Sequence, residues 1–455
     1  VDLMLQLDPT LPKTRAVEHA IRAAIADGRA LPGMRLPSSR ELALELGVAR
    51  NTIVAVTDDL VAEGVLEARA REGMFVARSV APIHSASRTA ASAGPEFDLR
   101  PGRPEAGSFP TARWLTAIRR AGAAPADVDS DGAGSMALRS ELASYLARAR
   151  GVETTADAIV ICAGYRTAST LLAAALAAGG ASSVAIEDPS LFGIERPWST
   201  SGFTVSDLVV DEDGADIGRL DARTDAVVLT PSHQFPLGGA LAPARRRLVV
   251  DWAMANDRGF IVEDDYDGEF RFDRRPVAAL QRSAPERVVY AGSVSKTLAP
   301  DLRLGWLVLP RDLVRPVVEA SEALTGGAPM LNQLALADLI RTGEYERHIR
   351  RQRREYARRR THLQQALRSV GLEVPGLAAG LHGLIPLGDA APTVLSRLES
   401  QPDYVGVHRL ARYTRSHDRP EALVVGFATP SRARFEPAIA ALTPLLTARD
   451  SRPPR

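Results

Sequence analysis

The chain has 455 residues, 45% hydrophobic and 24% charged, with 56 Lys and Arg against 55 Asp and Glu. Such values are ordinary for globular protein and exclude a disordered, collagen-like or coiled-coil chain, and the length predicts two to four domains, each able to bury a core. No apolar run approaches ~18 residues, so no membrane span is expected.

The first eleven residues carry Asp2 and Asp8 and lack the basic and apolar regions of a signal peptide. A lone cysteine, Cys162, can form neither an intrachain disulfide nor a Cys-rich metal site, so a cytoplasmic protein is expected. All basic residues except Lys13 and Lys296 are arginine. With that bias a single arginine means little, whereas a lysine retained at position 296 stands out.

Residues 13–28 place Val17, Ala20, Ile21, Ala24 and Ile25 on one stripe of period 3.6, ending at Gly28, and predict an amphipathic helix. Ser38 and Glu41 have capping-box spacing ahead of Leu42, Ala43 and Leu46, which predicts a short second helix ending at Gly47. A third, roughly Arg50 to Glu63, turns Ile53, Val56, Leu60 and Val61 inward. Residues 65–69 and 73–77 then read as strands around a turn at Arg71-Glu72-Gly73. Three helices and a hairpin in this order are the winged helix-turn-helix plan, expected over residues 1–78. Residues 79–97, rich in Ala, Ser, Pro and Gly without periodicity, read as a linker.

From Asp98 onward, apolar runs at 158–164, 183–188, 203–210, 225–231, 260–265, 287–293 and 304–310 are strands. They alternate with helices such as 167–178 and 244–257, which argues for an α/β fold with a mostly parallel sheet over 98–455. Residues from roughly 311 to 455 read as a smaller α+β part, with an Arg-rich helix around 344–368 and strands at 380–387, 405–410 and 422–428. The arginines at 350, 351, 353, 354 and 358–360, mixed with Glu344, Glu346 and Glu355, are expected to form a solvated helix face.

Two strand ends carry chemistry. After strand 287–293 come Ser293, Ser295, Lys296 and Arg303; hydroxyls and an arginine beside a lysine would hold a phosphate next to an amine, as pyridoxal phosphate requires. After strand 260–263 come Asp264, Asp265 and Tyr266, where a carboxylate can keep a pyridinium nitrogen protonated and a phenol can bond the ring hydroxyl. Alone, each cluster reads more readily as a solvated surface lysine or strand end. Together, at the carboxyl ends of parallel strands where α/β folds bind ligands, they point to a cofactor site.

Over nearly its whole length outside the linker the chain resembles the MocR subfamily of GntR transcriptional regulators, a winged helix-turn-helix fused to a fold-type-I aminotransferase-like domain with large and small parts. The matching stretches are LPSSRELALELGVARNTI, LRSELASYLARARGV, TPSHQFPLGGAL, EDDYDGEFRF, PVAALQ, YAGSVSKTLAPDLRLGWLVLP and GLAAGLHGLIPL. The resemblance implies that Lys296 forms the internal aldimine of pyridoxal 5'-phosphate, that Asp264 pairs with the pyridine nitrogen, and that Tyr266 bonds the ring oxygen. Ser293, Ser295 and Arg303 would hold the phosphate, completed by Gly164, Tyr165 and Arg166 at a helix N-terminus. His233, Gln234 and Phe235 would face the ring, or equally form a buried turn before Pro236. Leu191 stands where the family often has tyrosine, so stacking on the ring would fall to Phe192 or be weaker.

For DNA, Arg50, Asn51 and Thr52 would enter the major groove, Arg40 would reach a base or phosphate, and Arg69, Arg71 and Gly73 would form the wing contact. Thr57, Met74 and Ala49 depart from the usual tyrosine, threonine and capping serine. The resemblance also implies a head-to-tail, domain-swapped homodimer on paired half-sites of operator DNA, sensing pyridoxal phosphate or an amino compound. Arg412, Arg415 and Arg419 are the candidates for an effector carboxylate. The alternative functions are a working aminotransferase with an accessory DNA-binding domain, and a regulator whose cofactor site stays empty.

Overall fold

The computed structural model describes residues 3, 5–77, 94–123, 132–272, 277–374, 379–416 and 418–447, in two compact units, 1–93 and 94–455. Of the linker expected at 79–97, residues 79–93 lie outside the described residues, and Phe97 is already in a strand.

In the first unit, α1 (Lys13–Ala26) buries Val17, Ala20, Ile21, Ala24 and Ile25 against Leu42, Ile53, Val56 and Leu60. Helix α2 (Ser39–Glu45) opens with the expected capping box: Glu41 N donates to Ser38 Oγ at 3.3 Å and Ser38 N to Glu41 Oε2 at 2.7 Å. Helix α3 (Arg50–Ala62) starts at Ala49 without a side-chain cap, an omission worth about 1 kcal/mol. Thr57 is buried there, its hydroxyl donating to Val54 O at 3.0 Å, which is how a small polar residue fits this core. Strands β1 (Leu66–Arg69) and β2 (Gly73–Val76) pair antiparallel, Leu66 opposite Val76, and Met74 packs against the core. Their turn puts Arg71 at φ +67.

The second unit begins with β3 (Phe97–Asp98), α4 (Thr111–Ala123), α5 (Met136–Arg150), β4 (Ile159–Cys162), α6 (Tyr165–Ala178), β5 (Ser183–Asp188) and α7 (Arg196–Thr200). There follow β6 (Thr204–Asp211), β7 (Gly214–Ala215), β8 (Ala226–Leu229), α8 (Pro243–Ala255), β9 (Phe260–Asp264), β10 (Val288–Ser293) and β11 (Gly305–Val308). They form an eight-stranded sheet of order β4-β11-β10-β9-β8-β5-β6-β7. The five strands from β10 to β6 are parallel, and β11 runs antiparallel to both neighbours. Both faces are covered, so the central strands are continuously apolar; alternate residues serve different cores, Ile161 one and Val160 the other.

Helices α9 (Arg311–Leu324) and α10 (Met330–Arg341) pack Val317 and Leu336 into those sheet cores. The smaller part's own core therefore starts later than residue 311, within α11 (Glu344–Ser369), at Tyr356 and Leu363. It continues through β12 (His382–Pro386), α12 (Ala391–Ser400), β13 (Val405–Gly406), β14 (His408–Arg409), β15 (Ala422–Gly426) and α13 (Arg432–Leu446). Leu99 joins this core, and β3 pairs with β13.

The Arg-rich face of α11 is solvated at Arg350, Arg351, Arg353 and Arg354, but not at Arg359. That side chain is 0% exposed, pairs with Glu105 at 2.7 Å and Glu355 at 2.9 Å, and donates to Ala428 O and Pro430 O. A guanidinium can be buried where it meets this many acceptors. No helix among the described residues is long and apolar enough to cross a membrane.

Candidate functional site

The carboxyl ends of parallel β5, β8, β9 and β10 open into a cavity of about 280 Å³, the place where open α/β sheets receive ligands. Lys296, Asp264, Tyr266, Ser293, Ser295, Arg303, Gly164, Tyr165 and Arg166 all line it.

Strand alternation explains why one acid of the run Glu263-Asp264-Asp265 belongs to the cavity. Side chains alternate between faces, so Glu263 turns away and accepts from Leu280 N (2.8 Å) and Gln281 N (2.9 Å). Asp265 likewise turns to Arg150 Nε (2.6 Å) and Tyr290 Oη (2.8 Å). Asp264 alone faces the cavity. Burial, with the like charge of Asp265 behind it, raises its pKa well above the carboxylate range, while Lys296 opposes the shift. Burial also lowers the Lys296 pKa against the pull of Asp267 and Asp264. A buried lysine that loses its proton readily is a better amine nucleophile. Its Nζ donates to Gly102 O at 2.5 Å.

A second group of residues suits an anion. Helix α6 starts at Gly164, φ +89, without a side-chain cap, directly after β4. Its first backbone N–H groups therefore point toward any anion placed there. Ser293 ends β10 and Ser295 follows it, and Arg303 is held at φ +51 just before β11. Gly305 lets these segments close up: a Cβ on it would lie 3.1 Å from Gly164 Cα. Ser169, one turn into α6, lines the same cavity with a buried hydroxyl that has no hydrogen-bond partner among the described residues. That donor set fits a phosphorylated pyridine aldehyde: cations, hydroxyls and a helix terminus for its phosphate, Lys296 for its carbonyl carbon, Asp264 for its ring nitrogen.

Other expected positions fall differently. Of His233-Gln234-Phe235, only Phe235 lines the cavity. Gln234 is buried, donating to Pro189 O at 2.8 Å and Glu187 Oε2 at 3.3 Å, and His233 lies behind Tyr266. Phe192, expected to stack on the ring, is 50% exposed and does not line the cavity; it lies between the guanidiniums of Arg196 and Arg412. Leu191, Ile194 and Pro197 form that wall. Leu191 reaches the cavity although it is itself 43% exposed, and Phe192 beside it does not.

Arg415 is consumed by Asp207 (2.7 Å), Ser190 Oγ (2.6 Å) and the carbonyls of Ile186 and Glu187. Arg419 donates to Val210 O at 2.6 Å and Asp188 O at 3.2 Å. Arg412 is exposed, 4.9 Å over the Phe192 ring and next to the cavity-lining Tyr413.

Glu187 is a cavity residue that the sequence reading passed over. It accepts from Thr230 Oγ1 at 2.5 Å, and burial pushes its pKa up to about 7. The signal was an acid at the end of an apolar strand, as at Asp264. Gly102, His382 and Tyr413 also line the cavity, brought in by chain contacts that no local pattern announces.

In the first unit, Arg40, Arg50 and Asn51 are exposed and Thr52 half-buried, all on α2 and the start of α3. Arg50 Nε donates to Ser39 Oγ at 3.2 Å, tying the two helices together. Arg71 and Gly73 are exposed in the hairpin turn. Arg69 lies 4.3 Å over the Phe75 ring and pairs with Glu67, so it is steadied on the hairpin.

Residues 13–76 match the family described as bacterial regulatory proteins, gntR family, and residues 103–440 match aminotransferase class I and II. The chain is 30% identical to the HTH-type pyridoxine biosynthesis transcriptional regulator PdxR of Corynebacterium glutamicum over 94% of each chain. It is 34% identical to the probable rhizopine catabolism regulatory protein MocR of Rhizobium meliloti, over 78% of this chain and 77% of that one. Among solved structures, an archaeal alanine:glyoxylate aminotransferase superposes with TM-score 0.69 at 22% identity, over 77% of this chain and 90% of that one, a likeness of fold.

Proposed function

Because the chain belongs to the MocR subfamily of GntR-type regulators, a helix-turn-helix head joined to an aminotransferase-like domain, we propose that it is a pyridoxal-phosphate-binding transcriptional regulator that controls vitamin B6 or amino-compound metabolism. The observation that carries this reading is the convergence of Lys296, Asp264 and Tyr266 with an uncapped helix terminus, two serines and Arg303 around one cavity. When bound, the cofactor supplies an aldehyde that captures amines and a ring that withdraws electrons.

Within the cavity each side chain has a task. Lys296 tethers, Asp264 holds the ring-nitrogen proton, and Tyr266 donates to the ring oxygen. Ser293, Ser295, Arg303 and the Gly164-Tyr165-Arg166 turn seat the phosphate. Phe235 and Leu191 supply apolar walls for the ring. An effector carboxylate would meet Arg412, whose guanidinium has no acceptor among the described residues, whereas Arg415 and Arg419 are held by the protein.

In the head, Arg50, Asn51 and Thr52 read the major groove of operator DNA, Arg40 supports them, and the wing residues Arg69, Arg71 and Gly73 meet the backbone. The working unit is a domain-swapped homodimer in the cytoplasm, its paired heads matching paired half-sites. Occupancy of the cavity alters the head spacing through the linker, a coupling of about 1–3 kcal/mol.

Pyridoxal phosphate added to the purified protein should produce the absorption of a lysine-bound cofactor, lost in Lys296→Ala. No new absorption in the parent protein would refute the cofactor assignment. The complete lysine, aspartate and tyrosine set also supports the alternative, a working aminotransferase; stoichiometric conversion of an amino donor and a 2-oxo acid, abolished by Lys296→Ala, would favour it.

A further inference from the structure

Behind Tyr266 lies a histidine and aspartate pair to which the cofactor reading gives no task. His233 Nδ1 is 2.8 Å from Asp267 Oδ2 and 2.9 Å from the Tyr266 hydroxyl, and the His233 and Tyr266 rings are stacked with centroids 6.0 Å apart. Tyr266 lines the cavity; His233 and Asp267 do not.

One ring nitrogen thus serves two competing groups, a carboxylate that accepts and a phenol that can donate or accept. The other ring nitrogen, Nε2, is buried without a hydrogen-bond partner among the described residues. A proton there would be an unsatisfied buried donor, so the ring proton belongs on Nδ1, donated to Asp267. A protonated Nδ1 cannot accept from Tyr266, and because it occupies Asp267, which also lies within hydrogen-bond reach of the phenol, it competes with the phenol for that carboxylate. The ring cannot turn to change this: Gly380 packs so closely that a Cβ on it would stand 2.0 Å from His233 Cε1, and the His382 ring lies 5.1 Å away.

We propose that His233 and Asp267 are positioning residues that aim the Tyr266 hydroxyl into the cavity, where it donates to the ring oxygen of the bound cofactor instead of back into the protein. This rests on the cofactor reading above. The other titratable groups facing Tyr266 are Asp264 and Glu187; His382 faces His233, and Asp264, Asp267 and Arg103 face Lys296. Burial and the neighbouring carboxylates, Asp267 foremost, raise the Tyr266 pKa and keep its proton in place.

A phenol donating to the ring oxygen stabilises that oxygen as an anion and weakens its hold on the adjacent nitrogen-bound proton. The lysine-bound chromophore then titrates at lower pH than it would without the donor. The test is a pH titration of that absorption in the full chain loaded with pyridoxal phosphate. In His233→Ala, Asp267 loses the imidazole and no longer has a competitor for the phenol's hydrogen, so the midpoint should move to higher pH by about one pH unit, in the same direction as Tyr266→Phe.

His233→Asn, whose amide restores a donor at the Nδ1 position, should titrate close to the parent. The double variant H233A/Y266F should titrate like Tyr266→Phe alone, as two residues acting through one bond must. His233→Leu, which removes the imidazole while filling its space, should also move upward and serves where His233→Ala does not fold. A midpoint unmoved in both His233→Ala and His233→Leu, equal shifts in His233→Ala and His233→Asn, or additive shifts in the double variant would overturn the inference while leaving cofactor binding intact. A parent protein with no band overturns the cofactor reading, and this inference with it.

Discussion

Glu187→Gln isolates the electrostatic cost of building the cavity. Glu187, next to last in β5, is buried and accepts from Thr230 N at 3.1 Å, Thr230 Oγ1 at 2.5 Å and Gln234 Nε2 at 3.3 Å. Burial outweighs these bonds and raises its pKa from 4.5 to about 7. Between those values the folded chain holds a proton that the unfolded chain has released, so stability falls as pH rises. The contribution is fully present below about pH 4.5 and is lost as pH passes 7. At 1.36 kcal/mol for each pH unit, the loss is on the order of 3 kcal/mol.

Glutamine keeps the acceptor for Thr230 and cannot ionise. Urea unfolding read by tryptophan fluorescence reports the relevant unit, because Trp114, Trp198, Trp252 and Trp306 all lie in it. The stability difference, Glu187→Gln minus parent, should rise by roughly that amount between pH 4.5 and 7.5. Parallel pH profiles for the two proteins would refute the reasoning.

Arg359→Met leaves Glu105 and Glu355 without the guanidinium that pairs with both. It should destabilise the second unit by about 3–5 kcal/mol in the same assay, the usual cost of breaking a buried pair. Gly380→Ala forces a Cβ against His233 at φ +81; a loss of about 1–3 kcal/mol is expected, with a lowered thermal midpoint as the check. Arg50→Ala should weaken operator binding and, if its contact is a phosphate, reduce the salt slope of log K by about one, measured by fluorescence anisotropy from 50 to 200 mM salt.

Much of this was legible in the residues, and the gaps have physical causes. Short-range signals carried well: the stripe from Val17 to Ile25, the Ser38 and Glu41 box, and strand runs ending in glycine or acid all correspond to elements at those places. The strand-end residues Asp264 and Lys296 share one cavity because parallel strands bring their carboxyl ends together. Side-chain direction was less accessible. Nothing local says that Leu191 and not Phe192 reaches the cavity, or that Arg359 is the one arginine of its run to be buried, which depends on Glu105, more than 200 residues away. Which core helices α9 and α10 serve was hidden for a similar reason. Helices α9 and α10 have the same amphipathic pattern whichever core they cover, and the sheet claims them.

The central claim, a DNA-binding head governed by a cofactor cavity, is tested most directly by a footprint at fixed salt on the DNA upstream of the chain's own gene and its divergent neighbour. The parent protein and Lys296→Ala would be compared with and without pyridoxal phosphate. The account predicts protection of two half-sites that changes with the cofactor in the parent and not in Lys296→Ala. No protection in any state, or protection indifferent to the cofactor in both proteins, would contradict it.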